Sequence, residues 1–355
     1  MLDPRQHLAA NIFPSEGGSA SGGEKPALAS TREGFGKGSV EAGKADERVV
    51  VLTADLAEST QAHHFQKAFP ERFIQCGVAE QNMATVAAGM ALYGKIPFFT
   101  SYATFSPGRN WEQIRTTIAI NDLHAIVCGM HAGVSVGPDG ATHQALEDIA
   151  LMRSLPNFTV ISPCDAEEGR KATLAAAKLG SPVYMRFGRD KTHIMTTPDT
   201  PFEIGKANVV WRPSQQRVTL EDPDSKGLPF VPQVAIFATG HLLYQSLMAA
   251  RALEAEGIAV SVTNVHTIKP LDEETILREA RAAGAIVTVE EHQIAGGFGS
   301  AVAELCAQEC PLPIEFIGMH DQFGQSGEPK ELIEYYKMGV SHISAAVKRV
   351  ISRKG

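Results

Sequence analysis

A chain of 355 residues has room for about two domains of roughly 150 residues, each with its own core. With 32 Lys and Arg against 40 Asp and Glu, the net charge of −8 leaves no basic excess for nucleic-acid phosphates. No apolar run approaches the ~18 residues of a membrane span, and the opening MLDPRQHLAANIF has no basic stretch ahead of an apolar block. The five cysteines are too scattered for a disulfide framework. Cys306 and Cys310 fit one face of a helix, and no second Cys/His pair stands at zinc-finger spacing, so no metal site is expected. The expectation is a cytoplasmic protein that binds neither membrane nor nucleic acid.

Residues 1–26 contain GGSASGGEKP, too polar to bury itself, and read as a disordered tail. From Ala27, short apolar runs alternate with helical patterns: RVVVLT (48–53), a helix over 80–94, IPFFTSY (96–102), an amphipathic stretch over 110–120, HAIVCGM (124–130), a helix over 145–154, FTVISP (158–163), a helix over 166–180 and PVYMRF (182–187). Continuous apolar strands separated by helices predict a parallel sheet covered on both faces. The stretch 196–232 is rich in Pro, Asp and Ser and reads as a linker with an irregular insertion. A second alternating unit occupies 233–355: strands over 233–239, 258–265, 285–291 and 314–318, helices over 241–256, 272–282 and 298–309, and closing helices after Pro329. The predicted architecture is two doubly wound α/β domains, 27–195 and 233–355.

Ligands of such sheets collect where strands end, so polar residues just beyond the apolar runs are the first candidates. They are Asp55 and Ser59 after the first run, His131, Asp139 and His143 after HAIVCGM, and Arg189 after PVYMRF. Glu80 opens a helix, where an acid usually complements the helix dipole. Flanked by CGVA and MATVAAGMAL, its carboxyl is expected to be desolvated, which favours a neutral acid able to donate to a ring nitrogen. The loop GVSVGPDGATHQ (133–144) is either a plain connection or the carrier of an acid/base, His143. Phe98, Phe99 and Tyr102 are ordinary strand aromatics, although Tyr102, at the strand end, could stack on a flat heterocycle. GGFGS (296–300) lacks the spacing of a phosphate loop and reads as close helix–strand packing.

Taken together, GVAEQN (77–82), FFTSY, GPDGATHQ (137–144), EEHQIAGGFGS (290–300) and FGQSGEP (323–329) resemble transketolase, from about Ala27 to the C-terminus. The resemblance covers the pyrimidine-binding and C-terminal domains. The front domain, whose GDG…N motif holds Mg2+ and the tail of thiamine diphosphate, has no counterpart; Gly137-Pro138-Asp139-Gly140 carries an inserted proline and matches the substrate loop instead. The chain is thus similar to the C-terminal subunit of a split transketolase. The cofactor would be shared with an N-terminal partner subunit that holds Mg2+, in a heterotetramer in which this chain also meets its own copy.

Residue by residue, the resemblance implies that Glu80 hydrogen-bonds the aminopyrimidine, that Phe99 and Tyr102 pack on it, and that Asp55 with Leu56 lies on the cofactor side of the interface. Arg32, Ser59, His131 and Arg189 would hold the sugar phosphate. Asp139 would contact the donor's hydroxyl and His143 the reacting hydroxyl and carbonyl. The implied reaction moves a two-carbon ketol unit from a ketose phosphate to an aldose phosphate, a step of the pentose phosphate pathway. Three alternatives stand beside it. One is a 1-deoxyxylulose-5-phosphate synthase, which typically has arginine where His131 stands. Another is a 2-oxoacid dehydrogenase E1 beta subunit, which would not need the phosphate cluster. The third is an inactive scaffold that kept the fold.

Overall fold

The computed structural model describes residues 1–13, 27–213 and 231–354. The Gly/Ser stretch and most of the Pro/Asp/Ser-rich insertion, residues 14–26 and 214–230, lie outside the described residues. The first half runs β1 (Leu28–Ala29), α1 (Thr31–Ala45), β2 (Val49–Thr53), α2 (His63–Ala68), β3 (Phe73–Gln75), α3 (Glu80–Leu92) and β4 (Ile96–Tyr102). It continues through α4 (Trp111–Gln113) into a π-helical stretch, Ile114–Ala119, then β5 (Ile126–Met130), α5 (Asp148–Arg153), β6 (Thr159–Ile161), α6 (Ala166–Leu179), β7 (Val183–Arg186) and β8 (Thr192–His193). The second half holds β9 (Asn208–Trp211), β10 (Val234–Ala238), α7 (Leu243–Ala255), β11 (Val260–Asn264), β12 (Thr267–Lys269) and α8 (Glu273–Ala283). It closes with β13 (Ile286–Gln293), α9 (Phe298–Glu309), β14 (Ile314–Met319), α10 (Pro329–Tyr335) and α11 (Val340–Ile351).

The larger sheet has the order β12-β6-β7-β5-β4-β2-β3, parallel except for β12. Every residue of β2 and of β5 is buried, as a sheet covered on both faces requires. The chain leaves β2 to one side, for β3, and returns on the other, as β4, so the crevice beyond the carboxyl ends of β2 and β4 is the switch point of the winding. The smaller sheet has the order β14-β13-β10-β11-β9, parallel except for β9.

Two strands fall outside the simple division into halves. β9 comes from the stretch expected to be linker and completes the second sheet, whereas β12 comes from the second half and pairs with β6 of the first. Each lends an edge to a sheet whose hydrophobic pattern lies elsewhere in the chain, and through β12 the second unit completes the sheet of the first.

Residues 1–13, expected as part of a disordered tail, pack instead on the second domain. Ile12 is fully buried, Leu2 bridges to Trp211, the Asp3 amide donates to the Val210 carbonyl at 3.0 Å, and the Phe13 ring meets Trp211 edge-on. The apolar residues that do this, Leu2, Leu8, Ile12 and Phe13, precede the Gly/Ser stretch. Helix α1 also departs from its weak propensity. Its glycines permit close approach to α6: a Cβ at Gly34 would stand 2.0 Å from the Ala166 carbonyl oxygen, and one at Gly38 would stand 2.8 Å from the Thr173 side chain. The Glu33 carboxylate, accepting from the Ser30 amide at 3.0 Å, closes the start of that helix and so seats Arg32 beside the sheet edge.

Candidate active site

Glu80 is the first residue of α3 and only 1% exposed. Its carboxylate accepts from Ser101 Oγ at 3.0 Å and from Arg109 Nη1 at 3.2 Å, while Asn110 Nδ2 donates to the Glu80 carbonyl at 3.1 Å. Ser101 comes from the end of β4, and Arg109 and Asn110 follow the Ser-Pro-Gly turn ahead of α4. The acid is thus fixed by side chains from two neighbouring segments, one of which, Arg109, is half exposed.

A second group assembles across the end of β4. Tyr102 stacks on His131 with centroids 4.2 Å apart and planes 15° from parallel. His143 approaches Tyr102 edge-on at 5.9 Å and Phe105 edge-on at 5.5 Å. Arg32 Nη1 donates to His131 Nε2 at 2.8 Å and to the Ser59 carbonyl. Arg189 Nη1 donates to the Val136 carbonyl at 2.6 Å. The fold therefore brings Arg32, Ser59, Tyr102, His131 and His143 together from five separate segments, beside Glu80 and its Ser101 ligand.

The electrostatics of this group favour an anion. Burial, followed by the nearby Arg189 charge, pulls the Arg32 pKa below its usual value. Burial and the charges of Arg32 and Arg189 hold His131 down to about 3, so it is a neutral imidazole that accepts from Arg32. Two buried polar atoms on this wall, Arg32 Nε and His131 Nδ1, have no hydrogen-bond partner among the described residues. Guanidiniums that oppose one another and unpaired buried donors are both relieved by a bound oxyanion. Asp55 and His131 also hold left-handed backbone conformations, φ 61° and 55°, which non-glycine residues adopt sparingly.

Not every candidate reaches this face. Phe99 lies two residues before Ser101 on β4 and is fully buried in the core cluster with Met83, Ala84 and Ala87. Its ring offers no free face for a ligand in this chain and supports the site as packing. Tyr102 has one face occupied by His131. Asp55 is exposed at the carboxyl end of β2, its amide held by Gln75 Oε1 at 2.8 Å, and Leu56 follows it half-buried. Asp139 is exposed on the 133–144 loop. Ser101, Arg109 and Asn110 are absent from the sequence-based set. A serine inside an apolar strand and an Arg-Asn pair after a Pro-Gly turn were the only signals for them. Among the described residues, no three His, Cys, Asp or Glu side chains converge on a common point as a metal would require.

The transketolase pyrimidine-binding domain family matches residues 28–194, and the transketolase C-terminal domain family matches residues 231–343. The chain belongs to the transketolase family. A Methanocaldococcus jannaschii protein provisionally described as a transketolase C-terminal section is 40% identical over 319 residues, which are 89% of this chain and 94% of that protein. The 6-deoxy-6-sulfo-D-fructose transketolase subunit SqwH of Clostridium sp. (strain MSTE9) is 36% identical, covering 87% of this chain and 90% of its own. Against human transketolase the identity is 34%, over 91% of this chain but 49% of the human protein, so this chain spans about half of a single-chain transketolase. Among solved structures, a split-gene transketolase described as an inactive beta4 tetramer superposes with a TM-score of 0.81 and 42% identity, covering 92% of this chain and 99% of the other. The doubly wound α/β reading and the transketolase resemblance both stand. Among the described residues, no helix of this transketolase-family chain is long and apolar enough to cross a membrane.

Proposed function

We propose that this chain is the C-terminal subunit of a two-chain transketolase, transferring a two-carbon ketol unit between sugar phosphates with thiamine diphosphate shared between subunits. The observation that carries the reading is the pairing of a buried carboxylate, Glu80, with the Arg32–His131–Arg189 anion wall across the end of one strand. The residues fit the pyrimidine side of the cofactor: Glu80 can hold the ring nitrogen in a hydrogen bond, with Ser101 and Arg109 fixing the carboxylate. Asp55 and Leu56 would stand at its border with the partner. Bound there, thiamine diphosphate would supply the electron sink that carbon–carbon cleavage and formation require.

The chain's own residues bind and orient. Arg32, Arg189, neutral His131 and Ser59 hold the anionic end of the sugar, Asp139 meets a hydroxyl, and His143, backed by Tyr102 and Phe105, holds or moves a proton at the reacting oxygen. Similarity along nearly the whole length to a transketolase C-terminal section and to a split-gene transketolase supports an N-terminal partner that would hold Mg2+ and the diphosphate. We place the assembly in the cytoplasm as a heterotetramer, with self-association through both domains, and assign it to pentose phosphate interconversion.

A sulfonated sugar is the second reading, favoured by the 36% identity to a sulfofructose transketolase subunit and by an anion wall that would accept either group. Reconstitution with the partner subunit tests both. Ketol transfer from xylulose 5-phosphate to ribose 5-phosphate supports the first reading, transfer only from 6-deoxy-6-sulfofructose supports the second, and turnover of pyruvate without either overturns both. Absence of thiamine diphosphate uptake by the assembled pair, measured by calorimetry, overturns the cofactor assignment.

A further inference from the structure

The loop carrying Asp139 and His143 belongs to the first domain, but the group that pins it comes from the second. Glu291, in β13 and 2% exposed, accepts from both the amide and the hydroxyl of Ser135. His241, also from the second domain, places Nε2 2.9 Å from the same carboxylate. Burial is the largest influence and lowers the imidazole's pKa, but the charge and hydrogen bond of Glu291, with Asp190, together carry the net shift upward, towards a charged partner. Arg186 of the first domain donates from Nη2 to the Glu291 carbonyl at 2.8 Å and from Nε to the buried carboxylate of Asp148 at 2.8 Å. The backbone that presents Glu291 is therefore itself anchored.

The contact leaves no room for slack. Gly133 packs so tightly on the Glu291 carboxylate that a Cβ there would stand 2.3 Å from Cδ, and its φ of 88° is one that other residues rarely adopt. One residue beyond Ser135, the Val136 carbonyl receives Arg189, a member of the anion wall. Beyond that, Gln144 Nε2 donates to the carbonyls of Val134 and of Gln325, the latter in the second domain, at 3.0 Å each. The loop is thus tied at its start by Glu291 and at its end by Gln144, and Asp139 and His143 lie between Ser135 and Gln144.

We propose that Glu291 is a positioning residue, by which the C-terminal domain sets the geometry of the substrate loop 133–144 and, through Val136, of Arg189. The role rests on the transketolase reading for its consequence in catalysis, though not for the anchoring itself. A loop released by even about 1 Å loses on the order of 100-fold in rate where its side chains must meet a reacting group.

The test has two readouts. In the full chain alone, Glu291→Ala is expected to speed amide hydrogen exchange at residues 135–140 by about 10-fold or more, while Glu291→Gln, which keeps shape and one acceptor, restores most of the protection. In the assembled enzyme, Glu291→Ala is expected to lower kcat/KM for the sugars about 100-fold with the Kd for thiamine diphosphate unchanged, because Glu80 lies on other elements. If Glu291→Ala does not fold, Ser135→Ala, which removes one of the two bonds, is expected to raise exchange over the same residues about threefold. Unchanged exchange in both variants, a Gln variant as impaired as the Ala variant, or parallel losses in sugar and cofactor binding would overturn the proposal. Should the wild-type assembly transfer no ketol group, the functional reading fails while the exchange data still decide whether Glu291 holds the loop.

Discussion

Glu290 and Glu80 are both almost fully buried next to helix N-termini, and their surroundings differ in one respect. Glu290, in β13, accepts from the backbone amides of Phe298 and Gly299 at 2.6 and 2.7 Å, closing the start of α9 with main-chain donors. Glu80, at the start of α3, is held by side chains, Ser101 and the half-exposed Arg109, at the edge of a crevice. Burial lifts the Glu290 pKa to about 8 against the pull of those amides. An acid sealed among backbone donors completes a fold, whereas an acid held by side chains beside a switch point, one of them half in solvent, can exchange that partner for a ligand. The same contrast explains GGFGS: its helix N-terminus is filled by the protein's own carboxyl group, that of Glu290, as close helix–strand packing requires.

The largest effect that would break this comparison is on activity. Glu80→Gln is expected to lower ketol transfer by the assembled enzyme about 1,000-fold, with the thermal midpoint of the chain within about 2 °C of wild type. Wild-type turnover in that variant would instead favour a scaffold that kept the fold. Glu290→Ala is the reciprocal case. It strands two amide donors and leaves a void, at an expected cost of about 2–4 kcal/mol in urea unfolding. A change below about 0.5 kcal/mol would put Glu290 outside the structural class.

Stability against pH sharpens the contrast further. Burial raises Glu290 to about 8, and burial together with Asp165 raises Glu168 to about 7, both from 4.5. Their neutral forms suit the fold, so their contribution is complete below pH 4.5 and is lost as pH rises through 7 and 8. Burial depresses His131 and His266 to about 3 and His292 to about 4, so their contribution is present above pH 6.5 and is lost as pH falls towards those values. The unfolding free energy is therefore expected to peak between about pH 6 and 7. A profile flat from about pH 6 to 9 would mean that Glu290 and Glu168 ionise in the fold without penalty. The smallest expected effect is that of Arg109→Ala. An arginine half in solvent contributes about 0.5 kcal/mol or less to stability, and a loss above about 2 kcal/mol would make the Glu80 pair structural after all.

Much of the site is visible in the linear chain because strand ends are. Asp55, His131 and Arg189 each follow a continuous apolar run, and β4 coincides with IPFFTSY, so the carboxyl edge of the sheet can be located from hydrophobic patterning. Ser101 and Arg109 escape because their significance lies in reaching one carboxylate across 21 and 29 residues of chain. Phe99 shows the opposite limit: its type and position suit a ligand contact, yet the helix packed over the central strand encloses it. Helix α1 contradicts its own composition, since four glycines weaken an isolated helix but two of them, Gly34 and Gly38, permit the approach to α6 that seats Arg32.

From the amino-acid order alone came the alternation of buried strands and helices, the two-unit plan, the transketolase motifs and most of the polar residues at strand ends. These are local properties, set by periodicity and by residue chemistry within a few positions. Packing alone decided that β9 leaves the linker to complete the second sheet, that β12 crosses to the first, that residues 1–13 settle on the second domain, and that Glu291 reaches over to hold the loop of the first. Short edge strands and cross-domain hydrogen bonds have no pattern of their own, because the partner that stabilises them is brought near only when the chain has folded.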